Sequence, residues 1–492
     1  MTEILLTAGE AYPAFERIVR DARDEVVISM RIFDVATRLF GETDLGETWA
    51  DLIAAKLAEG VRFDITIADF DPVARPAMHQ YSWDCRARLK DAAKANPENL
   101  TARVLLHPAR VSWIHRLSLR PVSKAKLVEE CERLNNLPKA DRDAQLDLMP
   151  GFCKLVVRGK TLRPKRWPPP PLVPATHHQK LAVVDGEVLY IGGLDLNPRR
   201  YDTTKHDRSA DDTWHDVQVI VRDERAQSAL VHLREFARSC AGAKPKATPG
   251  VLRTLSCRDN SFARPLSPKE VLTELEDAHV AMIQNAREFI YIETQFLRSS
   301  VIADALVDAA QNGIEVILLL PSAPEEIAFD QSRSLDSRYG EKLQADALDR
   351  LRKAYGERLF VGSPARPVAA DGDRDTLYGA EIIYIHAKVM IADGTSALVS
   401  SANLNGRSMR WDTEAGVTLN DVESTELWQR SIAHWFRGAA PGKMTRASEW
   451  TQAAHENQQK PPQERPHFVL PHDNKPARET GVGIPGFPEE LV

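Results

Sequence analysis

The chain has 492 residues, with 64 Lys and Arg against 70 Asp and Glu and a formal net charge of -6. At 43% hydrophobic, 27% charged and 7% aromatic residues, its composition excludes collagen-like, coiled-coil and wholly disordered chains, and its length calls for two or three folding units. The acidic balance gives no global pull toward nucleic acid or anionic membrane, so a histone-like or repressor-like binder is disfavoured.

The N-terminal MTEILLTAGEAYPAFER has no basic region followed by an apolar core, so no signal peptide is expected. No stretch approaches the roughly 18 apolar residues needed to span a bilayer. A cytoplasmic location is the default expectation, with peripheral membrane contact, and export by a signal-independent route stays open. Cys85, Cys131, Cys153, Cys240 and Cys257 form no CxxC pair, which argues for free thiols rather than a disulfide framework or a zinc site.

In chain order, Asp24 to Ser29 reads as a buried strand, followed by a helix that stops at Gly60 and an apolar strand from Val61 to Ile67. Pro72 to Thr176 is less regular, with a charged, solvated helix over Lys124 to Asn136. Next comes KLVVRGKTLRPKRWPPPP, a basic loop tipped by Trp167, read as solvated, with contact to phospholipid headgroups as the competing reading. The second half repeats the layout: a strand over Arg287 to Ile292, a helix ending at Gly313, and an apolar run from Ile314 to Leu320. Strands and helices alternating in this way imply an α/β fold with much of the sheet parallel. The expected units are 1–245, 246–442 and a polar, Pro-rich tail over 443–492 with no core of its own.

The chemistry is also written twice. THHQKLAVVDGEVLYIGGLD holds His178, Lys180 and Asp185, and IHAKVMIADGTSALVSSAN holds His386, Lys388 and Asp393, both as H-x-K-x4-D. After each aspartate come six residues and then a small pair, Gly192-Gly193 or Ser400-Ser401. Residues i and i+2 of a strand share a face, so each histidine projects beside its lysine, while Gln179 or Ala387 faces away. Two such segments brought together place two imidazoles and two ammonium groups around one point, a geometry suited to a phosphodiester. One neutral imidazole can attack phosphorus while the other, protonated, donates to the departing oxygen. Such histidines need orienting carboxylates, and Asp216 in TWHDV and Glu414 in DTE are the candidates downstream of the motifs. Trp214 and Tyr291 read as packing residues, His177 as a hydrogen-bonded neighbour, and His206 and His215 have no metal-like spacing.

These residues resemble the phospholipase D superfamily, whose signature is this duplicated motif. HHQKLAVVDGEVLYIGGLDL with RYDT and WHD, IYIETQF at Ile290 to Phe296, and the run from Ile383 through SSANLNGRS to DTE look closest to the eukaryotic-type subgroup. The resemblance implies two similar α/β domains of mixed sheets flanked by helices, related by a pseudo-twofold, with a single active site at their interface. It implies His178 as nucleophile and His386 as acid, the reverse remaining open, with Lys180, Lys388, Ser401 and Asn403 binding phosphate. Asp216 and Glu414 would orient the histidines. Asp185 and Asp393 belong to the signature, in a structural or salt-bridging role rather than as direct catalysts. The first copy departs from the pattern with Gly193 and Asp195 in place of the small-residue and Asn pair, and Asn197 is a weak substitute. No cofactor, metal, or calcium- or phosphoinositide-binding module is implied.

The expected activity is phospholipase D: hydrolysis of phosphatidylcholine or phosphatidylethanolamine to phosphatidic acid through a covalent phosphohistidine, with transfer to alcohols available and a role as a secreted effector open. The expected partners are phospholipid at a membrane or micelle surface and a water or alcohol acceptor, with no nucleic acid and a monomeric chain. The competing readings are a cardiolipin synthase-type phosphatidyltransferase, a metal-independent nuclease, and a lipid-binding protein without catalysis.

Overall fold

The valine- and isoleucine-rich runs become strands of two mixed sheets flanked by helices, in a computed structural model that describes residues 2–42, 44–259, 268–323, 335–370, 376–483 and 488–491. The first half contributes β1 (Glu3–Leu6), β2 (Glu25–Met30), β3 (Arg62–Ala68), β4 (Leu100–Leu105), a small hairpin of β5 (Val156–Val157) and β6 (Arg163–Pro164), β7 (Lys180–Val184), β8 (Val188–Gly192) and β9 (Val217–Val221). The first sheet is ordered β1-β9-β8-β7-β2-β3-β4. The second half contributes β10 (Val251–Cys257), β11 (Lys269–Thr273), β12 (Phe289–Thr294), β13 (Glu315–Leu319), β14 (Leu359–Ala369), β15 (Thr376–Leu377), β16 (Ala380–Ile382), β17 (Lys388–Ala392), β18 (Ser396–Ser400), β19 (Glu414–Leu419) and β20 (Val469–Pro471). Its central order, β10-β19-β18-β17-β12-β13-β14, matches the first sheet strand for strand.

The directions match as well. β2, β3 and β4 are parallel, as are β12, β13 and β14, while β7 and β17 run antiparallel to β2 and β12. Parallel neighbours need crossovers, which the helices Trp49–Ala58 and Ser300–Ala309 supply between the first two strands of each set. These helices are followed by Gly60 and Gly313, at φ +91° and +77°, the left-handed turn that favours glycine. Alternate strand residues split between layers. Leu181, Val183, Val389 and Ile391 enter one core shared by both halves, while Ala182 and Val184 pack on the far side of the first sheet and Met390 and Ala392 on the far side of the second.

Two stretches are more ordered than the sequence reading expects. Pro72 to Thr176 contains the helix Pro76–Ala92 and β4, which completes the first sheet. Its alternating, partly charged LTARVL is an edge strand and lacks the apolar run of a central one. The segment after Lys443, expected as a tail without a core, instead forms the helix Ala447–Gln458 and β20, antiparallel to β14, and buries Trp450, Phe468 and Val469 in the shared core. Trp450, Phe468, Val469 and Leu470 are all buried, so a polar average conceals an anchored segment.

The signature aspartates stand apart from the histidines. Asp185 accepts from the backbone N–H groups of Arg23, Asp24 and Glu25 at 2.9 Å, and Asp393 does the same for Arg287, Glu288 and Phe289 at 2.8–3.0 Å. Both lie in Asp-Gly turns, with φ +52° and +54°, a conformation that aspartate tolerates. Five residues of extended strand put Asp185 roughly 17 Å from Lys180, so these carboxylates anchor the start of β2 and β12 and take no part in chemistry at the histidines. Asp185→Asn, which turns one acceptor into a donor facing these N–H groups, is expected to lower stability in urea by about 1–2 kcal/mol while the folded fraction keeps its activity. Loss of activity at parental stability would overturn the anchoring role.

Candidate active site

Both motif strands begin at the same kind of place. Lys180 pairs with Met30 at the C-terminal end of β2, and Lys388 pairs with Thr294 at the C-terminal end of β12. The residues just ahead of each lysine leave their own sheet and bridge to the other half. His178 and Gln179 donate their backbone N–H groups to the Thr413 carbonyl at 2.9 and 2.8 Å, and His386 donates to the His215 carbonyl at 2.8 Å. The isolated parallel bridges His177 to Thr413 and His215 to Ile385 are counterparts across the repeat.

Crossed carboxylates follow from this exchange. Glu414, one residue after Thr413, meets His178 Nδ1 at 2.9 Å, and Asp216, one residue after His215, meets His386 Nδ1 at 2.6 Å. Each histidine is therefore oriented by an acid from the opposite half. With Nδ1 engaged, Nε2 is the atom left to act on a substrate. Lys180 Nζ donates to the His178 carbonyl at 2.6 Å and lies 3.4 Å from both ring nitrogens of His178. Lys388 Nζ donates to the His386 carbonyl. His178 and His386 are only 8% and 3% exposed, so little of the site meets solvent.

Burial governs the electrostatics. Desolvation first, then nearby Lys180, Arg31 and Lys388, holds His178 well below the usual imidazole range, and desolvation with Lys388 and Arg200 does the same to His386. Desolvation pulls Lys388 down to about 7 and also lowers Lys180. It pushes Asp216 up to about 7 and Glu414 up to about 8. Burial thus disfavours charge on each of these groups, and an entering anion would favour the charged lysines and imidazoles.

The remaining candidates divide. Ser401 donates to Glu414 Oε2 and accepts from the Ala415 N–H, so its hydroxyl supports the carboxylate. Asn403 keeps its amide oxygen Oδ1 buried without a partner among the described residues, an acceptor that a ligand could meet only with a donor. In the first copy a Cβ at Gly193 would fall 1.9 Å from Asp216 Oδ1, so that small residue makes room for the acid. Asp195 accepts from the Ile32 N–H and is the foremost charge supporting protonated Lys180. Asn197 is committed to Tyr81 and Arg199. The sequence reading misses Arg31, Arg200 and Arg407, whose charges reach the histidines, and takes Trp214, 4.7 Å ring to ring from His386, only for packing. A signal for Arg31 exists, since it directly follows the strand residue paired with Lys180.

His434 is missed too. It joins His206 and His215 in a buried cluster beneath the site, with His206 Nε2 3.1 Å from His434 Nε2 and His215 Nε2 2.8 Å from Glu293. No local spacing exposes it, because it stands more than two hundred residues further along the chain.

Residues 280–435 match the family described as "Cardiolipin synthase, PLD-like domain". The chain is 24% identical over 388 residues to phospholipase D alpha 1 of Carica papaya, covering 54% of this chain and 48% of that protein. It is 26% identical over 347 residues to phospholipase D1 of Schizosaccharomyces pombe, covering 50% and 25%, and 25% identical over 272 residues to cardiolipin synthase of Geobacillus thermodenitrificans, covering 54% and 47%. The chain thus spans about half or less of the length of these relatives. The crystal structure of phosphatidylserine synthase from Haemophilus influenzae covers 100% of this chain and 91% of its own, with TM-score 0.51 and 13% identity, a likeness of fold.

The depressed lysine gives a prediction. With Lys388 titrating near 7 in the free protein, a bound oxyanion restores its charge, so binding takes up protons and affinity falls as pH rises through about 7. Calorimetry with tungstate at pH 8 in buffers of different ionisation enthalpy is expected to show net proton uptake, reduced in Lys388→Met. Equal heats in all buffers would contradict it.

Proposed function

Because the chain belongs to the phospholipase D superfamily, we propose that it is a phosphodiesterase of glycerophospholipids, acting as a phospholipase D that releases the headgroup and leaves phosphatidic acid. The observation that carries this reading is the pair of crossed histidine–carboxylate contacts, 2.9 and 2.6 Å long, with two buried lysines beside them.

On this reading a phosphodiester enters with its non-bridging oxygens toward Lys180, Lys388 and the Nδ2 amino group of Asn403. Its negative charge offsets the burial and the neighbouring cations that keep the imidazoles neutral, so one of them gains a proton without leaving its carboxylate. His178 Nε2 attacks phosphorus, the P–N bond forms as the headgroup P–O bond breaks, and the leaving oxygen takes a proton from His386. Asp216 faces the imidazolium that loses this proton and Glu414 the imidazole that becomes cationic, so both acids act through their histidines. Water then attacks the phosphohistidine, giving its proton back to His386, and the P–N bond breaks. An alcohol in place of water gives transfer.

A phosphatidyltransferase reading differs in the acceptor alone, and the cardiolipin synthase description of the matched family favours keeping it in view. Mass spectrometry of mixed phospholipid micelles incubated with a primary alcohol in chelator is expected to show phosphatidic acid and the phosphatidyl alcohol. His178→Asn and His386→Asn are expected to cut both by roughly 10⁴-fold, and Asp216→Asn and Glu414→Gln by about 10²-fold or more through the misoriented imidazole. Cardiolipin from phosphatidylglycerol in preference to hydrolysis would select the transferase, and no change in any lipid would overturn both readings.

A further inference from the structure

Between β4 and β7 the chain makes a long excursion, and its exposed surface is unlike the rest of the molecule. Trp113, Ile114, Leu117, Leu119, Val122 and Trp167 are exposed, Ile114 at 61% and Val122 and Trp167 at 58%, and among the described residues most of the large exposed apolar side chains belong to this one excursion. They lie on the helix Trp113–Ser118, the first turn of the helix Arg120–Asn135, and the loop after β6. The pieces form one surface: Trp113 and Trp167 pack edge to face at 5.3 Å, and Arg120 donates to the Arg166 carbonyl at 3.0 Å. The excursion does not need these side chains for its own core, which is made by Leu127, Leu134, Met149 and Phe152 on the other side.

The charge around this surface is one-sided. Residues 110–126 hold five Lys and Arg and residues 154–167 hold six, eleven together, with no Asp or Glu in either run, in a chain whose net charge is -6. Arg116 lies over the Trp113 ring and Arg120 over the Trp167 ring, at 5.1 and 5.9 Å. Exposed tryptophans and aliphatics bordered by basic residues free of acids suit an anionic bilayer interface, where rings sit at headgroup level and cations meet lipid phosphates. The position fits as well. β2, β3 and β4 are parallel and in register, so the excursion leaves the first sheet at the end where Met30 pairs with Lys180.

We propose that this surface, built from the helix Trp113–Ser118, the start of the helix Arg120–Asn135 and the Trp167 loop, docks the protein on anionic phospholipid membranes with the active-site end of the first sheet toward the lipid. The docking itself stands on the surface; its service to catalysis rests on the phosphodiesterase reading. The test is sedimentation with vesicles of phosphatidylcholine alone and of phosphatidylcholine mixed with phosphatidylglycerol, beside turnover of a short-chain phosphatidylcholine kept below its micelle concentration. The parent is expected to bind the mixed vesicles far better than the neutral ones, and less at high salt. Trp113→Ala with Trp167→Ala, and Arg116→Gln with Arg120→Gln and Lys165→Gln, are each expected to weaken that binding about 10-fold or more, with unchanged thermal midpoints and unchanged turnover of the dispersed substrate. Equal vesicle binding by parent and variants, no vesicle binding by the parent, or a surface that engages a protein and no vesicle would overturn the proposal. Absent turnover with intact vesicle binding would instead sink the phosphodiesterase reading and leave the docking surface standing.

Discussion

Two short backbone exchanges hold the centre of this molecule together. Thr413 receives the N–H groups of His178 and Gln179, and His215 receives that of His386, so each half continues into the other exactly where its catalytic candidate begins. The carboxylates one residue beyond these carbonyls then have no choice of partner: Glu414 faces His178 and Asp216 faces His386. A lone half would keep its histidine and lysine and lose the acid that fixes the ring. The shared apolar core, with residues of both sheets in one cluster, is what keeps the exchange in register.

Much of this was legible in the residues. The spacing of His178, Lys180, His386 and Lys388 follows from strand alternation, and strands β2, β3, β12 and β13 from apolar runs bounded by helices that end at Gly60 and Gly313. What escaped the sequence is first of all what depends on the partner half. That the acids cross over is invisible, because each stands downstream of its own motif yet serves the other. The structural role expected for Asp185 and Asp393 takes the form of three N–H groups held by each, at the far end of the strand from the candidate His and Lys pairs; that these partners are backbone N–H groups is not visible in the spacing. Ser401 matches a phosphate contact in pattern and is turned to Glu414 by the bend that follows β18. The helix Ala447–Gln458 hides in a polar average because Trp450 alone carries much of its burial.

The electrostatics explain how so many ionisable groups share a dry space. Two lysines, two imidazoles and two carboxylates are each nine-tenths or more buried, and a fully charged set would cost several kcal/mol per ion. Burial shifts each group toward its neutral form, with Lys388 near 7, Asp216 near 7, Glu414 near 8 and Lys180 lowered against the pull of Asp195. Such a site is indifferent to neutral ligands and responsive to an anion, whose arrival makes the cationic forms of lysine and imidazole favourable together. On the proposed chemistry binding and activation are coupled: the negative charge that faces the lysines also favours the protonated imidazole that gives its proton to the leaving oxygen.

A site built by duplication faces a further problem, since two equivalent histidines cannot both be nucleophile and both be acid in one turnover. The repeat is nearly faithful in its backbone and departs in its details. Asp195 stands opposite Asn403, Gly193 opposite Ser401, and Asp216 opposite Glu414, so the first copy holds a fixed counter-charge beside Lys180 where the second leaves an amide atom unpartnered. The surroundings depart further: between β4 and β7 the first half runs from 106 to 179, whereas between β14 and β17 the second runs only from 370 to 387. One half therefore builds the apolar and basic surface at the active-site end, and on the proposed docking a lipid arriving from that side would meet the pair of histidines in a single orientation. On the proposed chemistry it is this unequal approach, more than any difference between the two imidazoles, that separates the atom that attacks phosphorus from the one that releases the headgroup.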